Sequence, residues 1–282
     1  MVAGPARAFP LRSRLLLPCG LDIHRLSPPF VIKGQETSTF RYPPLARRNS
    51  HLEGFVYNYS DQEGYVAEAD LNLGCGIPTE FAGINKGDTV VDLGSGAGND
   101  VFVARAIVGA EGKVIGVDFT EEMLEKANKN NVKLGFDNVE FKFGEIEDLP
   151  LDDNETDIVI SNCVLNLVPD KAKAFSEIYR TLKPGGHFCV SDIVLIGELP
   201  EGLKKSASMY AGCVSGALQK EEYMAHIKNA GFENVDIKTT KRIQLPNELV
   251  KQYLNEEEFK LFKENEFGIF SITVVGYKLV KD

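Results

Sequence analysis

The chain has 282 residues, of which 43% are hydrophobic and 26% charged, and its formal net charge is −10. This composition suits one large α/β domain, or one domain with a small appendage, whose core forms without disulfides or a structural metal. No apolar run approaches the ~20 residues that a membrane-spanning helix needs, so we expect no membrane partner. Residues 51–282 carry a net charge of −16. Nucleic acid is therefore not an expected partner, because contacts to the phosphate backbone depend on Lys and Arg.

Residues 1–50 differ from the rest of the chain. They carry a net charge of +6, are rich in Pro and show no sustained periodicity. An Arg-rich, acid-poor N-terminus is typical of a mitochondrial transit peptide. A disordered extension, or a start site placed too far upstream, is the alternative. We therefore expect a cytoplasmic protein, with mitochondrial targeting by this extension left open.

From residue 87 onwards, short apolar runs alternate with helical patterns, which predicts crossover units on a parallel sheet. The predicted strands are Thr89–Leu93, Lys113–Asp118, Val139–Phe143, Asp157–Ser161, His187–Val194, Asn234–Thr240 and Phe270–Leu279. The predicted helices are Asp100–Val108, Glu121–Leu134 with Thr120 as N-cap, Lys171–Leu182 stopped by Pro184-Gly185-Gly186, and Lys220–Ala230 with Gly231 as C′ residue. Two closing strands after five alternating units predict a Rossmann-like α/β fold. Its sheet has seven mostly parallel strands with helices on both faces and one antiparallel strand.

The segment VVDLGSGAG (90–98) runs from the first predicted strand into a glycine-rich turn and then a helix. Backbone N–H groups at such a helix N-terminus bind anions or polar groups, and glycines lack the Cβ that would keep a ligand away. Asp92, just before the turn, suits a cationic group such as an amino-acid ammonium. Asp118 follows the glycines by about 20 residues, a spacing that suits a bond to ribose hydroxyls. Nicotinamide and flavin enzymes use similar turns, so an oxidoreductase domain is the alternative at this point.

Two further segments favour a different cofactor. FGEIEDLP (143–150) follows the third strand and offers an acidic partner for an adenine amino group, and LKPGG (182–186) precedes the fifth strand. Together with the turn, they resemble the seven-stranded S-adenosylmethionine methyltransferases over about residues 87–195. The resemblance implies S-adenosyl-L-methionine as cofactor. The residues expected to bind it are Asp92, Gly94, Ser95, Gly96, Gly98, Asp118, Phe119, Met123, Glu145, Ile146 and Asn162.

The five cysteines are Cys19, Cys75, Cys163, Cys189 and Cys213. Their odd number and wide spacing argue against a secreted disulfide framework, and in a reducing compartment we expect them to be free thiols. Cys189 lies within a predicted strand and is interpreted as a packing residue. Cys163 follows the fourth strand, at the sheet edge where ligands collect. The glycines beside Cys75 and Cys213 indicate tight, accessible backbone, and both segments could fold over that edge as lid elements.

The segments LGCGIPT (73–79), NCVLNL (162–167), GCVSGA (212–217) and GEIE (144–147) resemble the arsenite methyltransferase family, over about residues 52–279. The resemblance implies that the catalytic thiols of Cys75, Cys163 and Cys213 hold trivalent arsenic. Some members carry a fourth cysteine ahead of the Cys75 position. Residues 20–74 contain none, so a disulfide with such a partner is not expected.

The implied chemistry agrees with the residue types. Trivalent arsenic is a soft centre that prefers thiolates, and its lone pair can attack a sulfonium methyl group without a general base. We therefore expect an arsenite methyltransferase that forms mono- and dimethylated arsenicals in arsenic detoxification. The substrate would be arsenite or its thiol conjugates, with a thiol-reducing system as partner and thioredoxin or glutathione as co-substrate. Methylation of a small organic molecule such as a quinone or sterol, or non-catalytic metalloid sequestration, are the alternatives.

These expectations divide the chain into four segments. Residues 1–50 form the disordered or targeting-like extension, and residues 51–86 an N-terminal lid segment with Cys75. Residues 87–196 form the cofactor-binding methyltransferase core. Residues 197–282 form a substrate lid with Cys213, followed by the closing helix and strands.

Overall fold

A computed structural model describes residues 57–210, 214, 216–264 and 267–280. The predicted extension, the start of the N-terminal lid segment, Cys19 and Cys213 lie outside these ranges. The strands are β1 (Thr89–Leu93), β2 (Lys113–Asp118), β3 (Val139–Phe143), β4 (Thr156–Asn162), β5 (Leu182–Ile196), β6 (Glu233–Arg242) and β7 (Gly268–Tyr277). The helices are α1 (Asn99–Val108), α2 (Glu121–Leu134), α3 (Lys171–Thr181), α4 (Glu201–Tyr210), α5 (Lys220–Asn229), α6 (Asn247–Val250) and α7 (Glu256–Lys263).

Within the described ranges, the strands form one seven-stranded sheet in the order β3-β2-β1-β4-β5-β7-β6. Strand β7 pairs antiparallel with both β5 and β6, and the remaining pairs are parallel. The predicted fold class is thereby confirmed. The chain winds outward from β1 to β3 and then crosses to β4 on the other side of β1. The strand order therefore reverses between β1 and β4, which is where open α/β sheets bind their ligands.

The two faces of the sheet are covered by different helices. Val91 and Leu93 of β1 pack with Phe175 of α3 and Tyr223 of α5 on one face. Val90 packs with α1 and its neighbours on the other. This alternation follows from the period of two in a strand, and complete burial of each such side chain contributes about 1.5–3 kcal/mol.

A third group of apolar side chains, here called the apolar cap, lies at one end of the sheet. It joins α4, α6 and α7 to the ends of β5 and β7, through residues such as Leu203, Val250 and Phe262. Cys75 and Cys163 are both members of this cluster. The cap therefore encloses two of the three cysteines that the sequence indicated as thiol ligands.

Several predicted boundaries need correction. Helix α3 ends at Thr181, and Leu182 is already extended, with φ −70° and ψ 137°. The Pro-Gly-Gly segment does not stop a helix but belongs to β5, because Gly185 N donates to Lys278 O and Lys278 N donates to Gly186 O. Thr120 occupies the N-cap of α2, but its side chain makes no capping hydrogen bond. Gly231, at φ +101°, follows α5 as predicted.

Helices α4, α6 and α7 had no counterpart in the sequence-based elements. None of the helices in the described part of the chain combines the length and apolar character that crossing a bilayer requires.

Candidate active site

The glycine turn leaves β1 at the centre of the sheet's carboxyl edge. Gly94, Gly96 and Gly98 have φ values of +71°, +51° and +98°, a region in which L residues are strained. Gly94 N and Ser95 N both donate to Val117 O, at 2.8 and 3.1 Å, which ties the turn to β2. The turn therefore needs glycine for its backbone path, and it ends at the first residue of α1.

Asp118, at the end of β2, braces the same turn. Its Oδ2 accepts a hydrogen bond from Gly96 N at 2.9 Å, and its Oδ1 accepts one from Thr120 N at 2.8 Å. A carboxylate offers about four acceptor positions, so two bonds to the protein leave capacity for ligand hydroxyls. The side chain expected to contact ribose thus also fixes the shape of the glycine turn.

Three aspartates near this edge have buried carboxyl groups. Asp92, Asp100 and Asp118 are 3%, 7% and 2% exposed. Burial, followed by the neighbouring Asp100 and Asp118, holds the pKa of Asp92 well above its ordinary value. Burial also raises the pKa of Asp100 to about 6 and raises that of Asp118. A bound cation would relieve this cost, because it favours the charged form of each carboxyl group.

These features fit S-adenosylmethionine, which carries a sulfonium and an ammonium group. Ser95 Oγ is buried in the turn without a hydrogen-bond partner among the described residues. Buried polar atoms are normally bonded, so this hydroxyl suits a polar ligand group. Gly96 leaves space for an approaching ligand, since a Cβ there would meet only Leu71 Cδ1, at 3.6 Å.

The remaining predicted cofactor residues lie at neighbouring strand ends. Phe119 follows β2 and is 39% exposed, whereas Met123 in the first turn of α2 is buried. After β3, Glu145 is exposed and Ile146 is buried among core residues. Because β3, β2, β1 and β4 are adjacent in the sheet, these side chains share its carboxyl edge with the glycine turn and with Asn162 of β4.

Cys75 and Cys163 form a disulfide, with their Cα atoms 5.2 Å apart. These two residues are therefore not the free thiols that we expect in a reducing compartment, and the structure shows the oxidised pair. Cys75 is 3% exposed and Cys163 is 6% exposed, so the accessibility inferred from the glycines beside Cys75 is also wrong. Cys189 is a free thiol with no exposed surface, as predicted. Cys213 lies outside the described residues.

The loop that follows Cys163 rests on the cofactor turn. Cys163 itself has φ +61°, a conformation that costs an L residue about 1–2 kcal/mol. Its backbone N–H donates to Ser191 O at 2.8 Å. A Cβ built on Gly94 would lie 2.5 Å from Cγ2 of Val164, the next residue. The disulfide and the glycine turn are thus neighbours at the topological switch point.

Two polar residues of this region had not been singled out from the sequence. Tyr59 and Asp100 are buried and hydrogen-bonded to each other and to Asn162. Asp100 follows the glycine turn by two residues, which is a signal that could have marked it. Tyr59 comes from a segment with no periodicity and carried no comparable signal.

The comparisons with known proteins agree with this geometry. Residues 84–231, just over half of the chain, match the family model of a methyltransferase domain. With the seven-stranded fold and the glycine turn, this match defines an S-adenosylmethionine-dependent methyltransferase of the class I type. An arsenite methyltransferase from Halobacterium salinarum is 46% identical over 188 residues, which are 67% of this chain and 48% of the relative.

The human arsenite methyltransferase is 36% identical over 254 residues, covering 80% of this chain and 67% of the relative. The crystal structure of CrArsM, an arsenic(III) S-adenosylmethionine methyltransferase from Chlamydomonas reinhardtii, is 36% identical. Its TM-score is 0.60, over 73% of this chain and 68% of that one. The chain belongs to the arsenite methyltransferase family. It spans about half the length of several curated relatives that it matches, 48% to 58% of them.

Proposed function

We propose that this chain transfers the methyl group of S-adenosylmethionine to trivalent arsenic held by the thiols of Cys75, Cys163 and Cys213. The observation that carries the proposal is the pairing of Cys75 with Cys163, which are 88 residues apart in sequence. Two sulfur atoms close enough to bond to each other can also bind one soft metalloid centre. Val214, beside Cys213 in sequence, is buried in the same apolar cap, which supports Cys213 as the third ligand.

The cofactor would lie along the carboxyl edge of β3, β2, β1 and β4. When bound there, S-adenosylmethionine supplies an electrophilic methyl carbon on a sulfonium. Asp92 would balance the positive charge of the ammonium, Asp118 would accept bonds from the ribose hydroxyls, and Glu145 would meet the adenine amino group. Phe119 and Met123 would add apolar contact.

Arsenic binding would require reduction of the Cys75–Cys163 disulfide. Thioredoxin or glutathione would supply two electrons and two protons by thiol–disulfide exchange through a mixed disulfide. Both sulfur-bearing residues are almost fully buried, and exchange depends on access of the attacking thiolate. The segment that carries Cys75 therefore opens before the reductant can act.

The three thiols would then replace the three hydroxyl groups of arsenite and release water. Held by the three thiols, arsenic would present its lone pair in line with the methyl carbon that the cofactor supplies, with S-adenosylhomocysteine as the other product. No proton leaves the nucleophile, so no general base is needed. The residues instead align arsenic with the methyl group, and the apolar cap keeps water from the arsenic–thiolate complex.

Formation of the Cys75–Cys163 disulfide would balance the electrons in this cycle. After methyl transfer, arsenic has given up its lone pair and is formally pentavalent. When Cys75 and Cys163 leave together as a disulfide, two electrons return to arsenic. Methylated trivalent arsenic remains on the third thiol and binds a further thiol or hydroxide. A second round would give a dimethylated arsenical, after the reductant has restored both thiols.

Arsenic speciation after incubation with arsenite, cofactor and a thiol tests the proposal. Cys163→Ser and Cys213→Ser should each abolish methylated products, because a hydroxyl is a hard ligand that arsenic(III) binds poorly. Both variants should keep the affinity for S-adenosylhomocysteine, measured by calorimetry. Full activity in both variants contradicts the three-thiol site. Methyl transfer to a panel of quinones and sterols without arsenite would favour an organic acceptor.

A further inference from the structure

A buried hydrogen-bonded network fastens the loop around Cys75, residues 74–76, to the sheet. Asn162 Oδ1 accepts from Cys75 N at 2.8 Å, and Asn162 Nδ2 donates to Gly76 O at 3.0 Å. The same Nδ2 lies 2.6 Å from Tyr59 Oη and 3.1 Å from Asp100 Oδ2. Tyr59 Oη in turn lies 2.8 Å from Asp100 Oδ1 and 3.0 Å from Gly76 O. The side-chain amide of Asn162 thus bonds to the loop backbone at Cys75 and Gly76 and also contacts Tyr59 and Asp100.

Asn162 Nδ2 and Tyr59 Oη make five donor contacts with three protons, so some of these protons are shared between acceptors. The Asn162 amide brings two N–H protons and Tyr59 brings one hydroxyl proton. Tyr59 donates to one oxygen of ionised Asp100, and the two amide protons of Asn162 are shared among Tyr59 Oη, Gly76 O and the other oxygen of Asp100. The bond from Cys75 N fixes the orientation of the amide. Because Tyr59 and Asp100 are 3% and 7% exposed, water cannot readily replace a lost bond.

The loop of residues 74–76 also packs closely against neighbouring side chains of the sheet. A Cβ on Gly74 would lie 2.8 Å from Asn162 Nδ2, and a Cβ on Gly76 would overlap the side chain of Ser191. Ser271 Oγ donates to Cys75 O from β7. The glycines on both sides of Cys75 therefore serve close packing against polar supports.

We propose that Tyr59 and Asp100 are positioning residues that act through Asn162 to hold Cys75 beside the cofactor turn. Asp100 belongs to the first turn of α1, two residues after Gly98, so a ligand that orders the turn also orders Asp100. Asp100 bonds to Tyr59 and Asn162, and Asn162 bonds to Cys75 N, so fixing Asp100 also restricts the backbone of Cys75. The inference depends on the proposed function in one respect only, which is that arsenic is the ligand that the thiols bind.

The consequence is a reciprocal coupling between two sites. A cofactor that fixes the first turn of α1 also fixes a thiol ligand, so each ligand should raise the affinity for the other by the same factor. Asn162, predicted from sequence to contact the cofactor, uses its side-chain nitrogen and oxygen for bonds within the protein. It would thus connect the two sites rather than belong to one of them.

The test compares Tyr59→Phe with a matched control, Tyr65→Phe. Tyr65 Oη also donates to an aspartate in the same segment, Asp70 Oδ2 at 3.1 Å, but lies outside the network. In reduced protein without ligands, Tyr59→Phe should speed hydrogen exchange of the Cys75 amide by about ten- to a hundred-fold, the value of a lost bond to a charged group. Tyr65→Phe should leave that amide unchanged. Equal exchange in the two variants overturns the proposal.

Calorimetry of S-adenosylhomocysteine with and without arsenite supplies the second readout. Wild type and Tyr65→Phe should bind the cofactor product more tightly when arsenite is present, and Tyr59→Phe should lose most of that gain. A merely structural role would lower stability but leave the gain intact. Asp100→Asn, which keeps the side-chain size, should match Tyr59→Phe and replaces it if that variant does not fold. The hydrogen-exchange experiment is carried out without arsenite. If arsenic methylation fails but the exchange result is as expected, the proposed function is overturned and the positioning role is retained.

Discussion

Replacing Gly94 with Ala tests whether the Cys163 loop rests directly on the cofactor turn. Gly94 has φ +71°, which costs an L residue about 1–2 kcal/mol. The added Cβ would lie 2.5, 2.6 and 2.9 Å from Cγ2, Cγ1 and Cβ of Val164. Rotation about χ1 cannot clear a β-branched side chain from this contact, so the backbone must shift at a further cost of about 1–3 kcal/mol. The free energy of unfolding should therefore fall by about 2–5 kcal/mol.

Gly96→Ala is the matched control, because its φ is +51° and the nearest atom to an added Cβ is Leu71 Cδ1 at 3.6 Å. Urea unfolding should show only the conformational cost there, about 1–2 kcal/mol. Val164→Ala removes two of the three clashing atoms, so the double variant with Gly94→Ala should recover at least ~1 kcal/mol relative to additivity. Equal losses in the two alanine variants, or strict additivity with Val164→Ala, would refute the packing argument.

Two further results are expected. Cys189→Ala should leave arsenite methylation unchanged, because burial raises the pKa of this thiol to about 12 and its Sγ donates to Pro78 O. A loss of product beyond any loss of folded protein would contradict this. Binding of S-adenosylmethionine near pH 6 should release protons, because burial raises the pKa of Asp92 and raises that of Asp100 to about 6, and a bound cation favours the charged form of each group. Its affinity should therefore rise as pH increases through about 6, the pKa of Asp100. Calorimetry in two buffers of different ionisation enthalpy measures the release, and a pH-independent affinity without proton release would refute it.

Local signals were enough to predict the centre of the fold. The bounds of β1, β2, α2 and β3 agree with the structure, because a glycine or an N-cap residue marks each transition. Helix α7 shows that a further local signal was present. Asn255 and Glu258 form a capping box at its start, a pattern that can be identified in the sequence.

The features that complete the site depend on contacts between residues that are far apart in sequence. The start of β5 at Leu182 reflects its pairing with Thr156, and the extended backbone at Gly185 and Gly186 reflects pairing with Lys278; no local periodicity contains either contact. Tyr59 bonds to residues 41 and 103 positions away. Cysteine spacing likewise could not show that Cys75 and Cys163 pair, because pairing requires the Cα atoms to approach within bonding geometry.

A single-turnover experiment with the reduced protein tests the central claim most directly. The protein is mixed with arsenite and S-adenosylmethionine carrying a deuterated methyl group, with no external thiol. Arsenic speciation and peptide mass spectrometry then follow the products. The account predicts one labelled methyl group on arsenic per chain, together with a Cys75–Cys163 disulfide, since no reductant is present to open it. Unmethylated arsenite with both thiols still free, under conditions where the cofactor is bound, would contradict it.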